Sequence, residues 1–182
     1  YYDKATGVAD SSTYLPVGTA LAATWNEDLG YEYGAVLGRE TAYRGKDVIL
    51  GPGVNIIRDP RNGRNFEYMT EDPYLNSRMT VGYIKGVQDQ GVAASAKHYI
   101  ANSLEYQRQL VDVLMDDRTL REIYLPGFKA AVQEGGTLTV MAAYNKFRGH
   151  WSAQSQYLLD DILKDEFGFD GLVMSDWDAV NN

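Results

Sequence analysis

Apolar positions along this chain change their period several times, and each change marks an element. From Thr24 the spacing is helical, with Leu29, Tyr33, Val36 and Leu37 three or four apart. Thr24 followed by Glu27 reads as a capping box, so a helix is predicted over 24–43. Asp47 to Leu50 is a short apolar strand, broken at Gly51-Pro52-Gly53. A polar stretch over 55–72 ends at Asp72-Pro73, a cap followed by the residue best suited to a first helical position. The helix it opens is predicted over 74–90, stopping at Gly91. Val92 to Ala96, small and apolar, is the next strand, and a second polar stretch covers 99–116. A helix over 118–134 must kink at Pro126, which has no N–H for the helix ladder. Thr137 to Ala143 is a third strand, Ser155 caps a helix reaching Phe167, and Leu172 to Met174 is the fourth strand. Residues 1–23, rich in Gly, Ser and Thr, read as irregular chain.

Helices alternating with apolar strands imply a parallel sheet. Long polar loops follow the strands on their C-terminal side, which points to a (β/α) barrel or a doubly wound sheet. An eight-fold barrel needs roughly 250 residues. With 182 residues and four clear units, the chain is expected to form an incomplete (β/α)8 TIM-barrel-like domain over 1–182.

Composition narrows the function classes. The formal net charge of −8 disfavours a nucleic-acid partner. No apolar run is long enough to cross a membrane as a helix. There is no cysteine, hence no disulfide and no thiol chemistry. Gly51-Pro52-Gly53 lacks the Lys-Ser/Thr pair of a phosphate loop, and the two histidines stand about fifty residues apart. No cofactor or metal is therefore expected. Fourteen tyrosines and three tryptophans would suit stacking on sugar rings, although tyrosine also serves half-buried surface.

The chemistry lies at the strand ends. A buried parallel strand is apolar on both faces, so a carboxylate appears only where the strand emerges. Asp176 stands at such a point, followed by Trp177. It could be a catalytic carboxylate or the cap of a following helix. Arg64, Lys97, His98 and Tyr144 also fall at or beyond strand ends, and a parallel sheet would gather them on one rim. Singly, each has a plain structural role: Arg64 could pair with Glu67 or Asp72, Lys97 could be a salt-bridged barrel lysine, His98 a structural histidine and Tyr144 rim packing. Together they form a pocket suited to vicinal hydroxyls.

Gly51-Pro-Gly53, the run from Arg58 to Glu67, Thr70-Glu-Asp-Pro-Tyr74, Ala96-Lys-His-Tyr99, Asp117 to Glu122, Met141-Ala-Ala-Tyr-Asn145 and Gly171 to Trp177 occur in order. In this set the chain resembles glycoside hydrolase family 3, and its bacterial β-glucosidases most closely. The resemblance implies retaining release of a terminal non-reducing β-D-glucosyl residue from a β-linked glucoside or oligosaccharide. It implies Asp176 as nucleophile, Arg64, Lys97, His98 and Tyr144 as sugar-binding residues, and Trp177 as part of the wall where the aglycone leaves. Glu67, Glu105 and Arg108 are expected behind these as supports. The family's glucosidase acid/base glutamate belongs to a C-terminal α/β sandwich domain not present in these residues. The remainder of the polypeptide, or a second chain, is therefore expected to supply it. A β-xylosidase or exo-β-glucanase of the same family is an alternative. Two alternatives of other classes are a Schiff-base aldolase using Lys97 and a non-catalytic sugar-binding relative.

Overall fold

Four parallel strands form the centre of the molecule: β3 (Val48–Ile49), β4 (Ala93–Tyr99), β6 (Thr139–Ala142) and β9 (Leu172–Ser175), hydrogen-bonded in that order. The computed structural model describes residues 2–3, 8–9 and 11–180. Among them the sheet stays open, with β3 and β9 at its edges. It is the expected TIM-barrel-like arrangement without closure.

Helices follow the strands as the alternation requires. In α3 (Pro73–Gln88) the Asp72 carboxylate accepts the Leu75 N–H at 2.6 Å, and Pro73 opens the first turn. Met79, Tyr83, Ile84 and Val87 line its buried face, and Gly91 ends the segment at φ +77°. The kink at Pro126 takes a definite form. A short α4 (Asp117–Thr119) passes into a wide π segment (Leu120–Tyr124) before α5 (Pro126–Gln133). The Leu125 N–H reaches the Leu120 carbonyl at 2.9 Å, five residues back. The widened turn lets the helix pass a residue that cannot donate. The last helix, α6 (Tyr157–Glu166), is also π-wound, and the Ser155 hydroxyl accepts the Leu158 N–H at 3.4 Å. Ile84, Val87, Phe128, Val140, Leu158 and Ile162 belong to one continuous core.

Three expectations need correction. Residues 1–23 are not wholly irregular. β1 (Tyr2–Asp3) and β2 (Val8–Ala9) pair antiparallel, and α1 covers Gly18–Ala22. Thr24 does not cap α2 (Glu27–Tyr43), because its hydroxyl serves the end of α1, donating to the Leu21 carbonyl at 2.7 Å. Asn26 caps instead, its side chain accepting from the Asp28 and Leu29 N–H groups at 2.9 and 3.3 Å. The polar stretches also hide short strands. β5 (Asp112–Val113) pairs with β7 (Lys146–Phe147), which pairs with β8 (His150–Trp151), tying the loop after β4 to the loop after β6.

The apolar stripe is only part of the packing face of α2: Tyr33 and Leu37 pack against the core, and a row of glycines adds to it. Leu29 is 39% exposed, while Gly30, Gly34 and Gly38 are buried. These glycines lie one helical turn apart and face α3. A Cβ on Gly38 would fall 2.7 Å from the Val87 carbonyl oxygen, and one on Gly82 would fall 2.6 Å from that of Glu27. Cβ atoms on Gly34 and Gly86 would collide with the carbonyl oxygens of Tyr83 and Tyr31. The two helices thus touch backbone to backbone.

Candidate active site

The C-terminal ends of the four strands meet at one rim. β4 carries Lys97 and His98 in succession, and a simple strand would turn neighbours to opposite faces. The β4–β6 register shifts here, with Lys97 opposite Met141 and Tyr99 opposite Ala142, leaving His98 as the extra residue. Such a bulge re-aims side chains at a strand end. Lys97 Nζ reaches Glu67 Oε1 at 3.1 Å and His98 Nε2 faces Asp176 Oδ2 at 3.3 Å. Tyr99 returns to the core, edge-on to Phe128, its hydroxyl bonded to the Leu158 carbonyl at 2.8 Å.

Arg64 and Glu67 come from the loop after β3, where a single 3-10 turn spans Asn65–Glu67. The Arg64 guanidinium grips Glu67 at 2.9 and 2.7 Å and stands 3.8 Å from Glu105. Glu67 thus bridges Arg64 and Lys97. Burial opposes its ionisation, but the Arg64 hydrogen bonds and the two cations prevail and hold its carboxyl below the usual range. Both plain structural readings of Arg64 and Lys97 therefore hold, and through Glu67 they make one unit. An ammonium paired in this way must surrender its ion pair to become the free amine of a Schiff base, which weighs against the aldolase alternative.

On the other side, Glu105 takes a 2.7 Å ion pair from Arg108, whose guanidinium lies 4.0 Å over the centre of the Tyr144 ring. Burial and the neighbouring Asp176 charge raise the Tyr144 phenol above its ordinary range, so it remains a donor. Asp176 is 6% exposed, directly after β9, with its N–H bonded to the Ala142 carbonyl at 3.2 Å. The Ala179 N–H reaches its carbonyl at 3.1 Å, and its Oδ1 accepts the Trp177 N–H at 2.8 Å. Trp177 contributes that N–H while its side chain stands out, the residue being 64% exposed. All nine residues singled out from the sequence lie on this rim. Sequence reasoning missed Tyr68 and Asn102: Tyr68 is wholly buried, with its hydroxyl 2.8 Å from His98 Nδ1. A tyrosine next to Glu67 carries no periodic signal to mark it.

Burial, helped by the cations Arg64, Lys97 and Arg108, pushes His98 down to about 2, so its ring is neutral. The unfolded ring titrates near 6.5, so below that pH protons bind the unfolded chain preferentially. The stability contributed by the neutral ring is full above pH 6.5 and falls by up to about 1.4 kcal/mol per unit as the pH drops towards 2. Denaturant titrations at pH 7 and pH 5 should differ by about 2 kcal/mol, and His98→Gln should remove most of that difference. An unchanged pH slope in the variant would place the acid sensitivity elsewhere.

A rim of this kind, a buried carboxylate among guanidinium, ammonium, imidazole and phenol groups, stands at the carboxyl ends of parallel strands, where barrel enzymes place their active sites. The family model described as glycosyl hydrolase family 3 N terminal domain matches residues 1–182. The chain is 55% identical over 173 residues to β-glucosidase BoGH3A of Bacteroides ovatus, covering 95% of this chain and 23% of that protein. It is 46% identical to an exo-α-(1→6)-L-arabinopyranosidase of Bifidobacterium longum, over 92% of this chain and 22% of the other. The solved structure of β-glucosidase 3B from Thermotoga neapolitana in complex with glucose superposes with a TM-score of 0.89 at 48% identity, over 91% of this chain and 23% of that one. The chain belongs to glycosyl hydrolase family 3. It spans less than a quarter of the length of these relatives.

Proposed function

We propose that this chain carries the nucleophile and sugar-binding rim of a retaining β-glucosidase that releases terminal non-reducing β-D-glucosyl residues. The observation that carries the reading is Asp176, a buried carboxylate at the end of β9 with His98 Nε2 3.3 Å from one oxygen and a backbone N–H on the other. Asp176 attacks the anomeric carbon as a proton passes to the leaving oxygen, and water then resolves the glycosyl-enzyme. The names of the relatives and the glucose complex support glucose as the sugar. Arg64, Lys97, His98 and Tyr144 hold its hydroxyls, and Trp177 stands on the side where the aglycone leaves.

The proton donor is a different group. Glu67 is held ionised by Arg64 and Lys97, and Glu105 is taken by Arg108. Glu67 is not placed to be a protonated acid and Glu105 is engaged in its ion pair, which supports an acid/base carboxyl from elsewhere in the polypeptide or from a second chain. The arabinopyranosidase relative favours one further reading, a pyranosidase for a sugar without C6. Rates on β-glucosides, β-xylosides and α-L-arabinopyranosides decide between them.

Incubation of the full-length protein with an activated 2-deoxy-2-fluoro-β-glucoside should add one fluoroglucosyl unit, mapped to the peptide holding Asp176. No adduct, or an adduct elsewhere, would overturn the assignment. Arg64→Ala and Lys97→Ala should each cost about 2–4 kcal/mol of transition-state binding, read as a lower kcat/KM, because the hydrogen bonds that hold the distorted sugar are lost.

A further inference from the structure

Behind the pocket, buried polar groups form a chain that starts at one carboxylate. Glu105 can only accept, so the Asn102 atom 3.0 Å from its Oε1 is the amide nitrogen. That same NH2 group lies 3.4 Å from the Tyr68 hydroxyl oxygen and can donate its second hydrogen there. The Tyr68 hydroxyl also stands 2.8 Å from His98 Nδ1, within reach to give its own proton there. The ring's remaining nitrogen, Nε2, faces Asp176 Oδ2 at 3.3 Å. Tyr68, His98 and Asn102 are each at most 1% exposed, so solvent does not compete for these sites.

We propose that Tyr68, oriented by Asn102 and Glu105, is a positioning residue that holds His98 as the Nε2–H tautomer. The ring then turns an N–H, not a lone pair, to the Asp176 side of the pocket and cannot take a proton there. The inference builds on the reading of Asp176 as nucleophile. A basic Nε2 lone pair facing that carboxylate would repel it, whereas an N–H steadies the charge that must attack. The neutrality of His98 fits, since a neutral ring carries one proton and a hydrogen bond at the other nitrogen decides where it sits. Burial raises the Tyr68 phenol, which keeps the donor protonated. Glu105 and Arg108 gain a specific task, because their ion pair anchors the end of the chain.

The test is 15N spectroscopy of histidine-labelled full-length protein, with the His98 signals assigned by their loss in His98→Gln. The native protein should show a protonated Nε2 and an unprotonated Nδ1. Tyr68→Phe should shift His98 towards a mixture with the Nδ1–H form and lower kcat by about 10–100-fold, the range known for loss of a hydrogen bond that supports a metal-binding histidine. Tyr99→Phe, which also removes a buried hydroxyl, should leave the His98 signals unchanged. A native Nδ1–H form would overturn the proposal, and so would a Tyr68→Phe spectrum identical to the native one. The native spectrum requires no variant to fold. These readings do not depend on turnover, so they separate failure of the relay from failure of Asp176 as nucleophile.

Discussion

Replacing Asp176 by alanine should lower turnover of a β-glucoside by on the order of 10^4-fold or more, about 5.5 kcal/mol in the barrier, while the protein stays folded. The two effects separate because of where the side chain lies. Its hydrogen bond goes to the N–H of the next residue, and its contacts with His98 and Tyr144 join side chains at the rim, not the backbones of the strands. The strand is held independently by its pairing with β6, from Thr139–Leu172 to Ala142–Ser175. Added azide with an activated β-glucoside should restore part of the rate and give the α-configured glycosyl azide, since a small anion can enter the vacated space. Loss of stability in place of activity would return Asp176 to a structural role. Ordinary turnover in the variant would remove the proposed mechanism altogether.

The second large effect is far from the rim. Gly86→Val should destabilise the protein by about 3 kcal/mol or more, read as a fall in the denaturation midpoint. A Cβ there would collide with the Tyr31 carbonyl oxygen and lie 2.8 Å from the Ala35 nitrogen. These are backbone atoms of α2, so no rotamer change relieves the clash and the helices must separate. Gly63→Val is the control, because a Cβ there meets nothing within 4 Å. Equal losses in the two variants would mean that the close approach of α2 and α3 contributes nothing particular.

What the sequence makes legible follows from how strongly physics constrains each residue. The order of strands and helices is readable because buried parallel strands must be apolar and bounded by breakers, as at Gly51-Pro52-Gly53 and Asp72-Pro73. The open barrel-like sheet follows from that order. The position of the rim is readable because a buried parallel strand admits a charged residue, such as Lys97 or Asp176, only where it emerges. The cap of α2 is misread because Thr24 fits two helix ends at once, and only the three-dimensional chain shows that α1 takes it. The glycine face of α2 leaves no hydrophobic signal, since glycine buries backbone and not side chain. Two-residue strands such as β5 are too short for a period to show. Tyr68 and Asn102 acquire meaning only from the directions of their hydrogen bonds.

The glycine contact between α2 and α3 has a thermal consequence. The heat-capacity change on unfolding grows with the apolar surface exposed, and backbone-to-backbone contact hides comparatively little of it. The strength of that contact should therefore vary less with temperature than that of the core around Ile84, Phe128 and Ile162, whose hydrophobic contribution fades on cooling. Helix α3 runs through Gly91 into β4, the strand that carries Lys97 and His98. These two residues, proposed to hold the sugar, thus follow a helix that one less cold-sensitive contact helps to anchor.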